Sequence, residues 1–202
     1  MNLEAFVPGG CVQHANVRVV MISEALPKDP NDYFYTTEEA GFFQTTRQAL
    51  EDAGYRVQSM REMNDLGIYL TTALKCSKKN YLVSASTLKN CSRLLEQEIA
   101  PFKGVKSIMC MGDFAIKAVN YIYKRNYGVN VIPSGSTYKI RNEPYIFGGV
   151  RFYPSYTQTG DSFNIEKSKR RMIAEDIRSA FEYAGIGQGR KEEDFHEQES
   201  SR

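Results

Sequence analysis

Several protein classes are excluded by what this chain lacks. It has no run of eighteen apolar residues, so no membrane-spanning helix is expected. Its first residues, MNLEAFVPGGC, carry neither a basic stretch nor a long apolar one, so no secretory signal is expected. Cysteine is scarce: four residues at irregular spacing, which favours a reducing, cytoplasmic setting over a disulfide framework. There is no internal repeat. Neither GxGxxG nor GxxxxGK(S/T) occurs, and the acid in Gly112-Asp113 would repel a phosphate, so a nucleotide-binding loop is discarded.

What remains is an ordinary globular composition. Apolar residues make up 42% and charged residues 25% of 202 positions, enough for one domain that buries roughly 70% of its unfolded surface. Net charge is +2, unevenly spread. The stretch 187–202 holds three basic and five acidic residues, which leaves the body at +4. That mild excess is compatible with a polyanionic partner. The polar tail has little to bury and is expected to be disordered, so a single domain over 1–186 is predicted.

The hydrophobic pattern alternates strand and helix. Residues 16–23 (NVRVVMIS) read as a strand, 24–35 as a loop ending in aromatics, and 37–53 as a helix with acids in its first turn and Gly54 as cap. A short edge strand fits 55–60. The organising unit is 67–112. An apolar β-branched strand ends at Lys75-Cys76, a helix follows Ser84, and a second apolar strand spans 105–111. Such a strand–helix–strand unit joins parallel, here adjacent, strands. A helix over 113–124 follows, then loop with a short strand near Val131. A hairpin is expected from 136–140 and 145–152 about Arg141-Asn142-Glu143-Pro144, then a loop over 153–163 and a last helix over 165–184. Alternation of this kind predicts an α/β fold, a three-layer α/β/α sandwich with a mainly parallel central sheet.

Two side-chain groups stand out. Lys167, Lys169, Arg170 and Arg171 crowd the first turns of the last helix, where cations oppose the helix dipole. Phosphate binding by these side chains and by free backbone N–H groups explains the arrangement; a solvated face with Glu166 as partner is the alternative. Cys110, inside a strand, reads as a small buried apolar residue. Phe42 and Phe43 lie at helical spacing and read as core.

Four stretches in order carry a resemblance: VVMISEA at 19–25, TTALKC followed by LKNC at 71–91, IMCMGDFAIKA at 108–118, and FYPSYTQTG at 152–160. Over roughly 15–184 the chain resembles the uracil-DNA glycosylases that carry an iron–sulfur cluster, the fourth family of that superfamily, which share the α/β sandwich. The resemblance implies a DNA partner, a monomer, and hydrolysis of the N-glycosidic bond of uracil or another deaminated or damaged base, flipped from the helix. Glu24, at the family's Gly-Glu-Ala-Pro-Gly, would act on water or the sugar cation, and Tyr153 would donate to the leaving base. Phe34 or Tyr35 would stack on the base, with Thr72 and Ser155 lining its pocket. Cys11, His14, Cys76 and Cys91 match a [4Fe–4S] ligand set, with zinc or free thiols as alternatives.

Departures from the family pattern are plain. Ser23 and Pro27 replace glycines, Thr72 replaces a base-reading asparagine, Tyr153 a histidine, and His14 a cysteine. Two other functions therefore stay open: a nucleic-acid-binding protein that kept the scaffold but not the reaction, and an enzyme acting on small nucleosides.

Overall fold

The computed structural model of the chain describes residues 14–77 and 83–187. Five strands form one sheet: β1 (Val19–Leu26), β2 (Ile68–Ser77), β3 (Ser107–Met111), β4 (Tyr145–Phe147) and β5 (Val150–Ser155). Their spatial order is β2-β1-β3-β5-β4, and every pairing is parallel except β4 with β5. The strand–helix–strand unit therefore does not join adjacent strands. β1 inserts between β2 and β3, at the heart of the parallel part of the sheet.

Helices cover both faces, which completes the three-layer α/β/α sandwich. α1 (Gly41–Asp52), α2 (Met60–Asp65) and α7 (Lys167–Ala184) pack on one face, where Met21, Leu70, Met109 and Tyr153 meet Phe43, Leu50, Ile177 and Phe181. α3 (Ala85–Ile99) and α4 (Asp113–Tyr127) cover the other, where Ile22, Tyr69, Ile108 and Phe152 meet Leu88, Leu95, Ala118 and Val119. Strands buried on both faces need near-continuous apolar runs. All five residues of β3, SIMCM, are buried, as are the first five of β1. Two short helices, α5 (Thr137–Ile140) and α6 (Asp161–Ile165), lie in the connections.

Four local expectations are corrected. Residues 55–60 form no strand. Ser59 accepts the Glu62 N–H at 3.2 Å while the Glu62 carboxylate accepts the Gln58 N–H at 2.7 Å, a reciprocal cap that starts α2 instead. No strand forms at Val131, because the Asn120 amide satisfies both backbone groups of Ile132, at 2.8 and 3.1 Å, in place of a sheet partner. The hairpin turns at Gly148-Gly149, both at positive φ, and pairs β4 with β5, while 137–140 are helical. The segment after Tyr153 is not all loop: β5 runs on through Ser155, and α6 precedes α7.

β2 is an edge strand, and its free side is capped by a side chain. The Tyr35 hydroxyl donates to the Leu70 carbonyl at 2.9 Å and accepts the Leu70 N–H at 3.1 Å. Among the described residues no helix is long and apolar enough to cross a membrane. The expected tail disorder at 187–202 lies, from residue 188 on, outside the described residues.

Candidate functional site

The chain leaves β1 toward one edge of the sheet to make β2, then crosses back over β1 to make β3. Connections diverge at the carboxyl ends of β1 and β3, and in open α/β sheets such a divergence leaves a crevice for ligands. Glu24 and Gly112 stand there. Glu24 follows the buried run 19–23 and is half-buried. Gly112 has φ +106° and ψ 165°, a region open in practice only to glycine. A Cβ at 112 would lie 2.7 Å from the Glu24 Cδ and Oε1. The glycine thus makes the space that the carboxylate fills. Phe114, in the first turn of α4, donates its N–H to Glu24 Oε1 at 3.4 Å. The carboxylate therefore sits against a helix N-terminus, where anions are favoured.

On the α1–α7 side of the same edge, hydroxyls and amides gather. Ser23 donates to Gln158 Oε1 at 3.0 Å, and both residues are buried. Gln158 Nε2 is buried with no acceptor. Such an orphan costs about 1–3 kcal/mol if left unpaired, so it marks strain or a place where a water or a ligand atom belongs. Ser155, the last residue of β5, donates to Asp176 at 2.5 Å. Asp176 also pairs with the buried Arg141 at 2.7 Å, and Arg141 reaches Glu175 at 3.0 Å and the Met172 carbonyl at 2.8 Å. Burial pushes the Asp176 carboxyl up to about 6, against the pull of Ser155 and Arg141. Ser155 is therefore at the crevice edge, but its hydroxyl holds β5 to α7.

Other expected site residues turn away. Thr72 lies beside Ser23 in register, yet its hydroxyl donates to the Leu74 carbonyl at 2.9 Å, next to the register shift at Ala25/Leu26. Tyr153 is one pleat deeper than Ser155. Its ring is buried on the α7 side and its hydroxyl donates to the Ser179 carbonyl at 3.0 Å, with burial raising its pKa. It is not aimed at the crevice, which corrects its assignment as leaving-group donor. Phe34 is wholly buried against Phe42 and Tyr33 and offers no open stacking face. Tyr35 is tied to β2 as described above. In each case a buried ring or hydroxyl has taken the partner the core offers.

Lys75, noted at the strand end, is also committed. Its amine donates to Thr71 Oγ1 at 2.7 Å and pairs with Glu98 of α3. Glu98 further accepts from Tyr69 at 2.8 Å and Thr71 at 2.7 Å. Burial pulls the Lys75 pKa down, and Glu98 opposes that pull.

The basic helix start divides in two. Arg170 grips Asp52 at the end of α1 through Nε at 3.0 Å and Nη2 at 2.9 Å, and lies 5.1 Å from the Phe163 ring. Its role as a phosphate ligand is corrected: it staples α7 to α1. Lys169 pairs with Glu166 at 2.8 Å and sits over the Tyr156 ring. Lys167 and Arg171 face solvent, the latter 4.0 Å from Glu175.

The proposed cluster ligands do not converge. His14 belongs to a short 3-10 helix at the amino edge of the sheet, and the Asn16 carbonyl beside it approaches Gly67 just before β2. Cys76 lies near the other end of β2, about 26 Å along the strand at ~3.3 Å per residue. Cys91 and Cys110 are buried free thiols, and burial pushes the Cys110 thiol up. Cys11 lies outside the described residues. Among the described residues no three His, Cys, Asp or Glu side chains are grouped to hold a metal. Among the described residues, His14 and Cys76 lie too far apart to share one [4Fe–4S] cluster.

Glu24 was legible in the sequence as an acid at a strand end; Gln158, Asp176, Arg141 and the Lys75–Glu98 pair were not. The only signal for Gln158 was its place in FYPSYTQTG. No protein-family model matches the chain, and no curated protein sequence matches it.

Proposed function

We propose that the crevice between β1 and β3 receives a flipped nucleobase and that the chain is a DNA-repair glycosylase, releasing uracil or another deaminated or damaged base. The observation that carries this reading is the Glu24 carboxylate at the topological switch point, in space left by Gly112 and against the start of α4. In the reaction a water oxygen bonds to the sugar C1′ as the C1′–N bond breaks. The bonding pair leaves with the base, and the water gives up a proton. Glu24 orients that water, takes its proton and faces the positive charge that develops on the sugar. Gln158 Nε2, buried without an acceptor, is the group assigned to a base carbonyl. It stands in for Thr72 and Tyr153, whose hydroxyls are spent inside the protein. A DNA partner, a cytoplasmic setting and a monomer go with this reading.

A second reading, a nucleic-acid-binding protein without the reaction, is favoured by that same loss of Thr72 and Tyr153 from the crevice. One experiment separates the two. Oligonucleotides bearing uracil, hypoxanthine or xanthine are incubated with the protein, and abasic sites are revealed by alkaline cleavage. The glycosylase reading expects strand scission with one or more lesions, lost in Glu24→Gln while oligonucleotide binding persists. Binding with no scission across the panel favours the second reading. Scission undiminished in Glu24→Gln removes Glu24 from the mechanism.

A further inference from the structure

The outward faces of α3 and α4 enclose an open groove of about 360 Å³ that plays no part in the crevice chemistry. Its walls carry Lys89, Asn90 and Arg93 from α3, and Tyr121, Lys124 and Arg125 from α4. Arg93 lies four and three residues beyond Lys89 and Asn90, and Lys124 and Arg125 three and four beyond Tyr121, so each helix presents one stripe, and both stripes line the groove. Four cations thus share one trough in a chain whose net charge is only +2. Among the described residues Glu96 offsets part of this charge: it pairs with Arg125 and also interacts electrostatically with Arg93. Lys124 donates to the Gly128 carbonyl at 3.0 Å, and the Lys89 amine lies 5.6 Å from the centre of the Tyr121 ring. Neither contact neutralises a charge. Like charges facing each other across a trough repel, and an anion lying between them relieves that repulsion.

The groove also has a direction. Ser86 in the first turn of α3 lines its upper end, and α3 begins on the side of the sheet where β2 ends. α4 begins at Gly112, beside Glu24. Both helices then run down toward the amino edge of the strands. The α4 wall of the trough, however, begins only at Tyr121, about 13 Å along the helix from Gly112 at ~1.5 Å per residue, so the trough lies over the face opposite α7, apart from the crevice.

We infer that the α3–α4 groove binds the phosphodiester backbone of a nucleic-acid strand, with Lys89, Arg93 and Lys124 against the phosphates. A basic trough that tracks a backbone holds strands without sequence preference. The site does not depend on whether Glu24 hydrolyses anything.

The test is fluorescence anisotropy with a labelled single-stranded oligonucleotide and its duplex, titrated between about 50 and 200 mM salt. The variant Lys89→Glu/Arg93→Glu/Lys124→Glu is compared with a control, Arg56→Glu/Arg61→Glu, two exposed residues at and just before α2 on the other face of the sheet. A neutral version, Lys89→Gln/Arg93→Gln/Lys124→Gln, guards against a folding defect from charge reversal. The groove variants should bind at least tenfold more weakly at low salt. With three phosphates no longer neutralised, the slope of log K against log salt should flatten by about 2 for the single strand and about 2.7 for the duplex. The control should stay within threefold of the wild type. Which substrate shows the larger loss identifies the source of the strand. Binding within threefold of wild type in both groove variants overturns the inference. So does full displacement of the oligonucleotide by inorganic triphosphate at equal phosphate concentration, which would make the groove a small-anion site. Base release is scored separately with Glu24→Gln, so failure of the groove and failure of the glycosylase reading give different results.

Discussion

Replacing Gly112 by alanine tests the crevice without presupposing its chemistry. At φ +106° and ψ 165° an L-residue carries about 1–3 kcal/mol of backbone strain. The new methyl would also stand 2.7 Å from the Glu24 carboxylate carbon, where about 3.5–4.0 Å is comfortable. Glu24 is a flexible side chain, so it swings aside and gives up the Phe114 N–H bond, a loss of about 1–2 kcal/mol for a charged acceptor. Together these predict a destabilisation of about 2–5 kcal/mol. For a chain of this length, each kcal/mol lowers the melting temperature by about 2–4 °C, so a fall of roughly 5–15 °C is expected by calorimetry. The decisive measurement is the double-mutant cycle with Glu24→Ala. Removing the carboxylate should cost about 1–2 kcal/mol less in the Gly112→Ala background than in the wild type, because the methyl has already displaced it. Strictly additive costs would refute the claim that the glycine exists to seat Glu24.

Two further perturbations address the buried polar groups. Lys75→Met strands the Glu98 carboxylate with only Tyr69 and Thr71 and should cost about 3–5 kcal/mol in urea unfolding; Lys75→Met/Glu98→Gln should recover more than half. A single-variant loss under about 1 kcal/mol would mean that water reaches the pair. For Asp176 the folded carboxyl stands at about 6 against an ordinary 3.8, so the folded chain holds the proton more tightly than the unfolded one. Its contribution to stability is whole below the ordinary value and is lost as pH rises through about 6. Melting curves should therefore show the wild type losing about 2–3 kcal/mol relative to Asp176→Asn between about pH 4 and pH 7. A pH-independent difference would contradict burial as the cause.

The strands were readable because a parallel strand under two helix layers has no polar face to show. VVMIS, IYLTTAL and SIMCM are apolar at nearly every position, and Glu24 marks where the first of them emerges. Helix starts were readable where a side chain caps them, as Ser84 does by accepting the Thr87 N–H. The direction of individual side chains was not. In a strand a single step along the chain moves a residue to the opposite face, and two steps move it one pleat deeper. Tyr153 therefore sank onto Ser179, and the amide near the crevice proved to be Gln158, five residues later.

Local sequence also hides every partner that packing supplies. Arg170 reads as a phosphate-binding cation until α1 brings Asp52 to it across 118 residues, and Lys75 reads only as the end of a strand until α3 lays Glu98 over it. His14 and Cys76 look like ligands of one cluster until the sheet sets them at opposite ends. The amino-acid order alone thus settled the main parallel strands and the long helices and that they stack as a sandwich, since those follow from local hydrophobic period and capping, but not the short elements at 55–60, 131 and 137–140. Only the folded chain decided that β1 sits between β2 and β3, that Gly112 makes room for Glu24, and which charges are already paired. Those outcomes depend on atoms distant in sequence meeting in a core that must satisfy each polar group it encloses.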